Sequence, residues 1–148
     1  TITTNIKGIR DIMRKDTGVD GDAQRISQMV WMLFMKIFAD KEEEWEITIE
    51  NYQSPIPDRF KWQNWAANEE GLTGDALMDF VNNELFPALK ELDFSISPQA
   101  KIIRSVFEDT YNYMKNGTLF RQVINQINKI CSILIRKLMR KLMNVILR

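Results

Sequence analysis

DTGVDGDAQRISQMVWMLFMKIFADKEEEWE, residues 16–46, decides the fold. It opens on a turn rich in glycine and aspartate and then runs into a segment with helical periodicity. Ile26, Val30, Leu33, Phe34 and Ile37 recur at helical spacing and form one stripe, while Trp31, Met35 and Phe38 form a second on another side. A helix with one apolar stripe lies on a core, whereas a helix apolar most of the way round runs through one. The segment therefore predicts a buried central helix over about 23–46, with the rest of the chain packed around it. Asp22 is the expected N-cap, its carboxylate accepting from amides left open in the first turn.

Working outward, Ile2, Ile6, Ile9 and Met13 recur at three- and four-residue steps and predict a first helix from about Asn5 to Lys15. Beyond the central helix, about 47–72 contains Ser54-Pro55-Ile56-Pro57 followed by Trp62 and Trp65. Two prolines exclude a regular helix there, so this is a long irregular connection pinned to the core by tryptophan anchors. A further helix is expected from Thr73 or Gly74, with Leu77, Phe80, Val81 and Leu85 inward and a kink or restart near Phe86 because of Pro87. Ser97-Pro98 marks the next start, serine capping and proline taking the first helical position. Ile103, Val106, Phe107, Thr110, Tyr111 and Met114 extend that helix to Asn116-Gly117, where glycine would take a left-handed stop. From Thr118, Phe120, Val123, Ile127, Ile130 and Leu134 form the last stripe, extended by Leu138 and Leu142. No strand pattern or internal repeat is found, and the expected fold is all-α: a single helical domain of five or six helices.

The chain has 148 residues, 45% hydrophobic and 27% charged, with a net charge of +0. That is one domain of ordinary size, expected to be soluble, with no overall bias toward nucleic acid. The charge is uneven: Arg136, Lys137, Arg140, Lys141 and Arg148 follow Cys131 with no acidic residue among them. A single cysteine fits a reducing cytoplasm. No signal-peptide pattern and no run of about 18 apolar residues is present, so no membrane role is expected.

There is no histidine. This removes the commonest general base and metal ligand and every Ser-His or Cys-His pair. The six glycines include no G-x-G, and no Walker lysine motif, C-x-x-C or Asn-Pro-Pro-aromatic motif is present. The chain by itself is read as non-catalytic, with no catalytic, cofactor-binding or metal-binding residue to nominate.

Four features imitate sites. Asp16 to Asp22 resembles a calcium loop, yet counted from Asp16 position three is Gly18 and position twelve Ser27, so a capping turn is the better reading. Glu42, Glu43, Glu44 and Glu46 read as a solvated helix end, with contact to a basic partner as the alternative. Asn116-Gly117-Thr118 matches a glycosylation triplet but is read as a helix stop. Trp62 and Trp65 have only Arg59 and Lys61 nearby, so core anchoring is preferred to base stacking.

The blocks Ile12–Glu46, Pro55–Ala66, Gly71–Leu92 and Val106–Ile130, in that order, resemble the N-terminal region of the modification (M, HsdM) subunit of type I restriction-modification systems. The resemblance covers about Ile6 to Ile130. It implies that the full subunit is an S-adenosylmethionine-dependent adenine-N6 DNA methyltransferase whose helical N-terminal domain precedes the catalytic domain. It further implies assembly of two M subunits with one specificity (S) subunit, the N-terminal domains helping to enclose DNA. The family's catalytic and cofactor residues have no counterpart in this chain.

The expected domain is thus 1–130, followed at 131–148 by an atypical basic, apolar C-terminal helix. That tail departs from the family and has the composition a truncated gene or altered reading frame would leave. Leu134, Leu138, Leu142 and Ile146 would let it pack on a second copy, giving a homodimer, or project freely. Its lysines and arginines offer an alternative, weak DNA binding; a stand-alone protein-interaction module is another.

Overall fold

In the computed structural model, residues 2–93, 95, 97–131, 133–137, 139 and 140 are described. Seven α-helices appear among them, with no strand. Helix α1 spans Ile2–Met13 and α2 Gly21–Thr48. The single turn α3 spans Trp62–Trp65, followed by α4 (Gly74–Phe80), α5 (Phe86–Lys90), α6 (Pro98–Phe107) and α7 (Gly117–Asn128). A further helical run occupies 133–137.

Helix α2, at 28 residues, is about 42 Å long by its rise per residue. From Gln28 to Glu42 none of its side chains is fully exposed, as expected of a central helix. The depth of its two stripes differs from expectation. Trp31, Met35 and Phe38 are buried, together with Met29, Met32 and Leu33. Ile26, Val30, Phe34 and Ile37 are only half-buried and pack on the flank. Trp31 settles the orientation, because Phe86, Phe107 and Phe120 converge on its ring at centroid distances of 4.9, 6.2 and 5.9 Å. Around so large a side chain the helix gains most by turning the Trp31 side inward.

The N-cap is Asp20, not Asp22, and Asp20 makes no side-chain capping bond. Its amide instead donates to Gln24 Oε1 at 2.7 Å, while Asp22 lies in the first turn and receives Arg25 and Arg10. Two guanidiniums outcompete the helix amides for that carboxylate.

The connection from 49 to 73 is irregular as expected, apart from α3 and a 3-10 turn over Asp58–Phe60. Helices α4 and α5 form one rod. Phe80 to Phe86 keep right-handed helical dihedrals, and a π turn over Val81–Leu85 joins the two, with the Phe86 amide reaching back to the Val81 carbonyl. Widening the helix just ahead of Pro87 accommodates a residue that has no amide to donate.

Two expectations fail between residues 108 and 134. Helix α6 ends at Phe107 and does not continue to Asn116. The Thr110 hydroxyl donates to the Val106 carbonyl at 2.5 Å, and the following segment leaves the helix to lie against α2. Gly117 is not a left-handed stop; it opens α7, and Asn116 is the N-cap, its side chain accepting from the Leu119 amide at 3.0 Å. Helix α7 then ends at Asn128 instead of running through Ile130 and Leu134. The amides of Lys129 and Ile130 bond back three residues, to Gln126 and Ile127, tightening the final turn. When the helix resumes, Ile135 is the fully buried side chain, while Leu134 and Met139 are half-buried on the core. Leu138, Leu142 and Ile146, with the basic Lys141 and Arg148, lie outside the described residues.

Candidate functional site

Three buried polar centres hold the irregular segments in place. In the first, α7 presents Arg121, Asn125 and Asn128 at steps of four and three, on one face. Arg121, only 5% exposed, donates to the carbonyls of Leu72 (2.6 Å), Ala66 and Asn68 (both 3.0 Å) and Trp65 (3.2 Å). Asn128 donates to the Ala66 carbonyl and accepts from the Trp62 indole at 2.8 Å. One side of a helix thereby satisfies the backbone of a loop that has no ladder of its own. Burial pulls the Arg121 guanidinium below its ordinary pKa, a cost that the four carbonyl dipoles offset.

The second centre is Asp16, 3% exposed. Its carboxylate accepts from the amides of Gly18, Lys115 and Asn116 at 2.8–3.1 Å. The third is Gln28, fully buried on α2, which donates to Asn112 Oδ1 and accepts from the Tyr113 amide, both at 2.8 Å. Together they dock the 110–116 segment onto the start of the central helix.

The features that imitate sites fall largely into this framework. Asp16 belongs to it, as an internal acceptor. Trp62 and Trp65 are 2% and 5% exposed and meet edge-on at 5.3 Å, so neither face is open to a base. The Asn116 side chain caps α7. The glutamate run divides: Glu42 is buried and accepts from the Tyr52 hydroxyl at 2.9 Å, while Glu43, Glu44 and Glu46 are exposed. Burial first, and then Glu42, push the Tyr52 hydroxyl well above its usual pKa. Glu44 pairs with Lys41 at 3.2 Å and with Arg136 at 3.4 Å, and both lower its pKa, Lys41 more strongly. The start of the basic tail is therefore seated on the acidic end of α2.

The buried carboxylates among the described residues, Asp16 and Glu42, are committed to internal amides and a phenol. No cluster of three potential metal ligands occurs among the described residues. None of the described helices is long and apolar enough to cross a membrane.

Sequence reasoning missed Arg121, the Asp16 and Gln28 docking and the role of Gly117. For Arg121 a signal existed: it stands on the buried face of α7 with Gly117, Ile124 and Asn128, where a charged residue demands partners. For Asp16 and Gln28 the partners are 84 to 100 residues away in sequence, and no local pattern reveals them.

The model of the HsdM N-terminal domain family matches residues 2–127. The methylase subunit of the type I restriction enzyme EcoEI from Escherichia coli is 57% identical over 132 residues, 88% of this chain and 27% of that protein. A crystal structure described as a modification subunit of a type I restriction enzyme from Vibrio vulnificus YJ016 superposes with a TM-score of 0.83. It is 31% identical, and the match covers 99% of this chain and 34% of that one. A chain from a structure on complex assembly and conformational transition of the type I R-M system gives a TM-score of 0.81 at 26% identity, covering 97% of this chain and 30% of its own length. The chain thus spans about a quarter to a third of the proteins it resembles.

Proposed function

The chain belongs to the HsdM N-terminal domain family, and from that membership we propose that it acts as the non-catalytic helical domain of a type I modification subunit, serving complex assembly and the enclosure of DNA. In this reading the methyl donor is bound, and adenine-N6 methylation carried out, by the remainder of a longer subunit in the cytoplasm. The partners are an S subunit and a second M subunit. One observation carries the proposal: the buried polar side chains serve to fix loops on a helical scaffold, which makes a rigid shape of the kind assembly requires. The boundary near residue 130 is part of the same proposal. The family match stops at 127, just before the composition turns to Ile, Leu, Lys and Arg.

Co-expression tests it. The chain, an S subunit and the catalytic portion of an M subunit should purify as one complex. Isothermal titration of S-adenosylmethionine into the chain alone should give no binding heat, and tight binding would sink the proposal. A chain that stays apart from both subunits would favour a stand-alone interaction module. For the tail, the nucleotide sequence of the locus decides: a catalytic domain in another frame just downstream supports an altered reading frame, and its absence removes that origin.

A further inference from the structure

A pocket of about 160 Å3 lies between the first half of α2 and the segment that follows α6. Ser27, Val30 and Trp31 line it from α2, and Asp109, Tyr111 and Tyr113 line it from that segment. Pockets for drug-sized ligands begin near about 300 Å3, so this one suits the head of a single side chain. The segment that frames it is tied down. Asn112 accepts from Gln28 at 2.8 Å and donates to Asn82 at 3.0 Å, and the Tyr113 amide donates to Gln28. Tyr111 and Tyr113, on either side of Asn112, are left to wall the pocket, their ring centroids 6.2 Å apart and their planes inclined at 49°. Tyr111 is 68% exposed, an unusual outlay of aromatic surface for a segment held so firmly.

Asp109 is the single charged side chain in the lining among the described residues. Eight ion pairs occur among those residues, and Asp109 takes part in none. Its neighbour Glu108 lines a separate groove together with Lys90, Lys101 and Arg104, whereas no cation lines the pocket of Asp109. Its position is also unfavourable for the helix. Helix α6 ends at Phe107, and a carboxylate just past that point meets the negative end of the helix dipole. A local rule broken without local compensation marks a residue with another task. The rings beside it are suited to positive charge. Lys90, which lines the adjoining groove, already lies 6.0 Å from the centroid of Tyr111.

We infer that this pocket receives an arginine side chain presented by a protein partner in the assembly. A guanidinium is planar, stacks on aromatic rings and offers a fork of donors that matches a carboxylate. Here Tyr111 and Tyr113 supply the rings, Asp109 the carboxylate and Ser27 a hydroxyl acceptor. Lysine, a compact and strongly hydrated point charge, uses such a setting less fully. Arginine seated among aromatic side chains is the kind of contact that dominates an interface. The inference rests on the proposed assembly role and specifies the chemistry by which a partner is gripped. It also gives the Gln28 tie a purpose, since holding Asn112 inward sets both tyrosines in place before the partner arrives.

Two measurements on the full chain test it. In the first, N-acetyl-arginine methylamide is titrated into the isotope-labelled chain and followed by nuclear magnetic resonance, with the citrulline analogue, neutral and of nearly the same shape, as control. The arginine probe should shift the resonances of Asp109, Tyr111 and Tyr113, the citrulline probe should not, and Asp109→Asn should abolish the response. In the second, the chain is bound to an S subunit joined to the catalytic portion of an M subunit. Asp109→Asn and Tyr111→Ala should each weaken that binding at least about tenfold, while Tyr111→Phe, which keeps the ring, should stay within about twofold of the native chain. Circular dichroism of each variant confirms folding. A chain that ignores the arginine probe, or answers both probes alike, overturns the inference. So do Asp109→Asn and Tyr111→Ala variants that bind the other subunits as the native chain does, and in that case the assembly role stands. A native chain that fails to bind those subunits removes the assembly role, and the probe titration still decides whether the pocket takes arginine.

Discussion

Arg121 shows how much one side chain can organise. Its guanidinium joins four carbonyls between Trp65 and Leu72 to the middle of α7. The planar fork reaches several acceptors at once, and a lysine ammonium offers three donors from a single point. Arg121→Lys is therefore expected to destabilise the chain by about 3 kcal/mol, the range for breaking a buried charged network. Urea unfolding followed by circular dichroism measures it, and a midpoint within error of the native chain would contradict this account. Trp31 adds a different residue-scale fact. Its indole N–H has no hydrogen-bond partner among the described residues, and three phenylalanine rings pack around the indole.

At the scale of elements, the junction of α4 and α7 depends on two glycines. A Cβ added to Gly117 would lie 1.9 Å from the Gly74 carbonyl oxygen, so the two helix starts touch backbone to backbone. Gly74 also has a φ of 61°, which a side chain resists. Gly117→Ala should cost more than about 2 kcal/mol, because backbone must move to admit the methyl group. Asn116→Ala, next to it, should cost only about 1 kcal/mol, the worth of a lost cap. Thermal unfolding of the two variants side by side gives the comparison, and equal losses would contradict the close approach. The same pair explains a failed expectation. Asn-Gly ends a helix as readily as it caps the next, and what chose between them is the Asp16 carboxylate, which takes the Lys115 and Asn116 amides and holds the chain extended just before α7.

Over the whole molecule, the absence of histidine leaves ordinary side chains little to titrate between about pH 5 and 8, so stability should be nearly flat there. Asp22, Glu44 and Asp58 have lowered folded pKa values, owing chiefly to Arg25, Lys41 and Lys61. Their contribution is present above the unfolded carboxylate value near 4 and is lost as pH falls through the lower folded values. All three are exposed, so this acid edge should be shallow and should weaken with added salt. Tyr52 works at the other edge. Its folded pKa is raised above 10.0, so its stabilisation holds below that value and is lost as pH rises past it. Tyr52→Phe should therefore flatten the alkaline edge in a pH series of unfolding midpoints. Much of this architecture was legible in the sequence because it rests on periodicity. The repeating apolar side chains of α1, α2, α4 and α7 specify helices by local geometry, and the Ser97-Pro98 and Pro55-Pro57 signals act within a few residues of themselves. The linked blocks from Ile12 to Ile130 likewise carried the family, since that pattern lies along the chain. Only the tertiary structure decided which stripe of α2 faces inward, where α6 and α7 end, and which polar residues become internal ties. Those outcomes depend on groups 49 to 100 residues apart, such as Arg121 with Leu72 or Asp16 with Asn116, and a buried polar atom's need for a partner is met by whatever the fold brings near it.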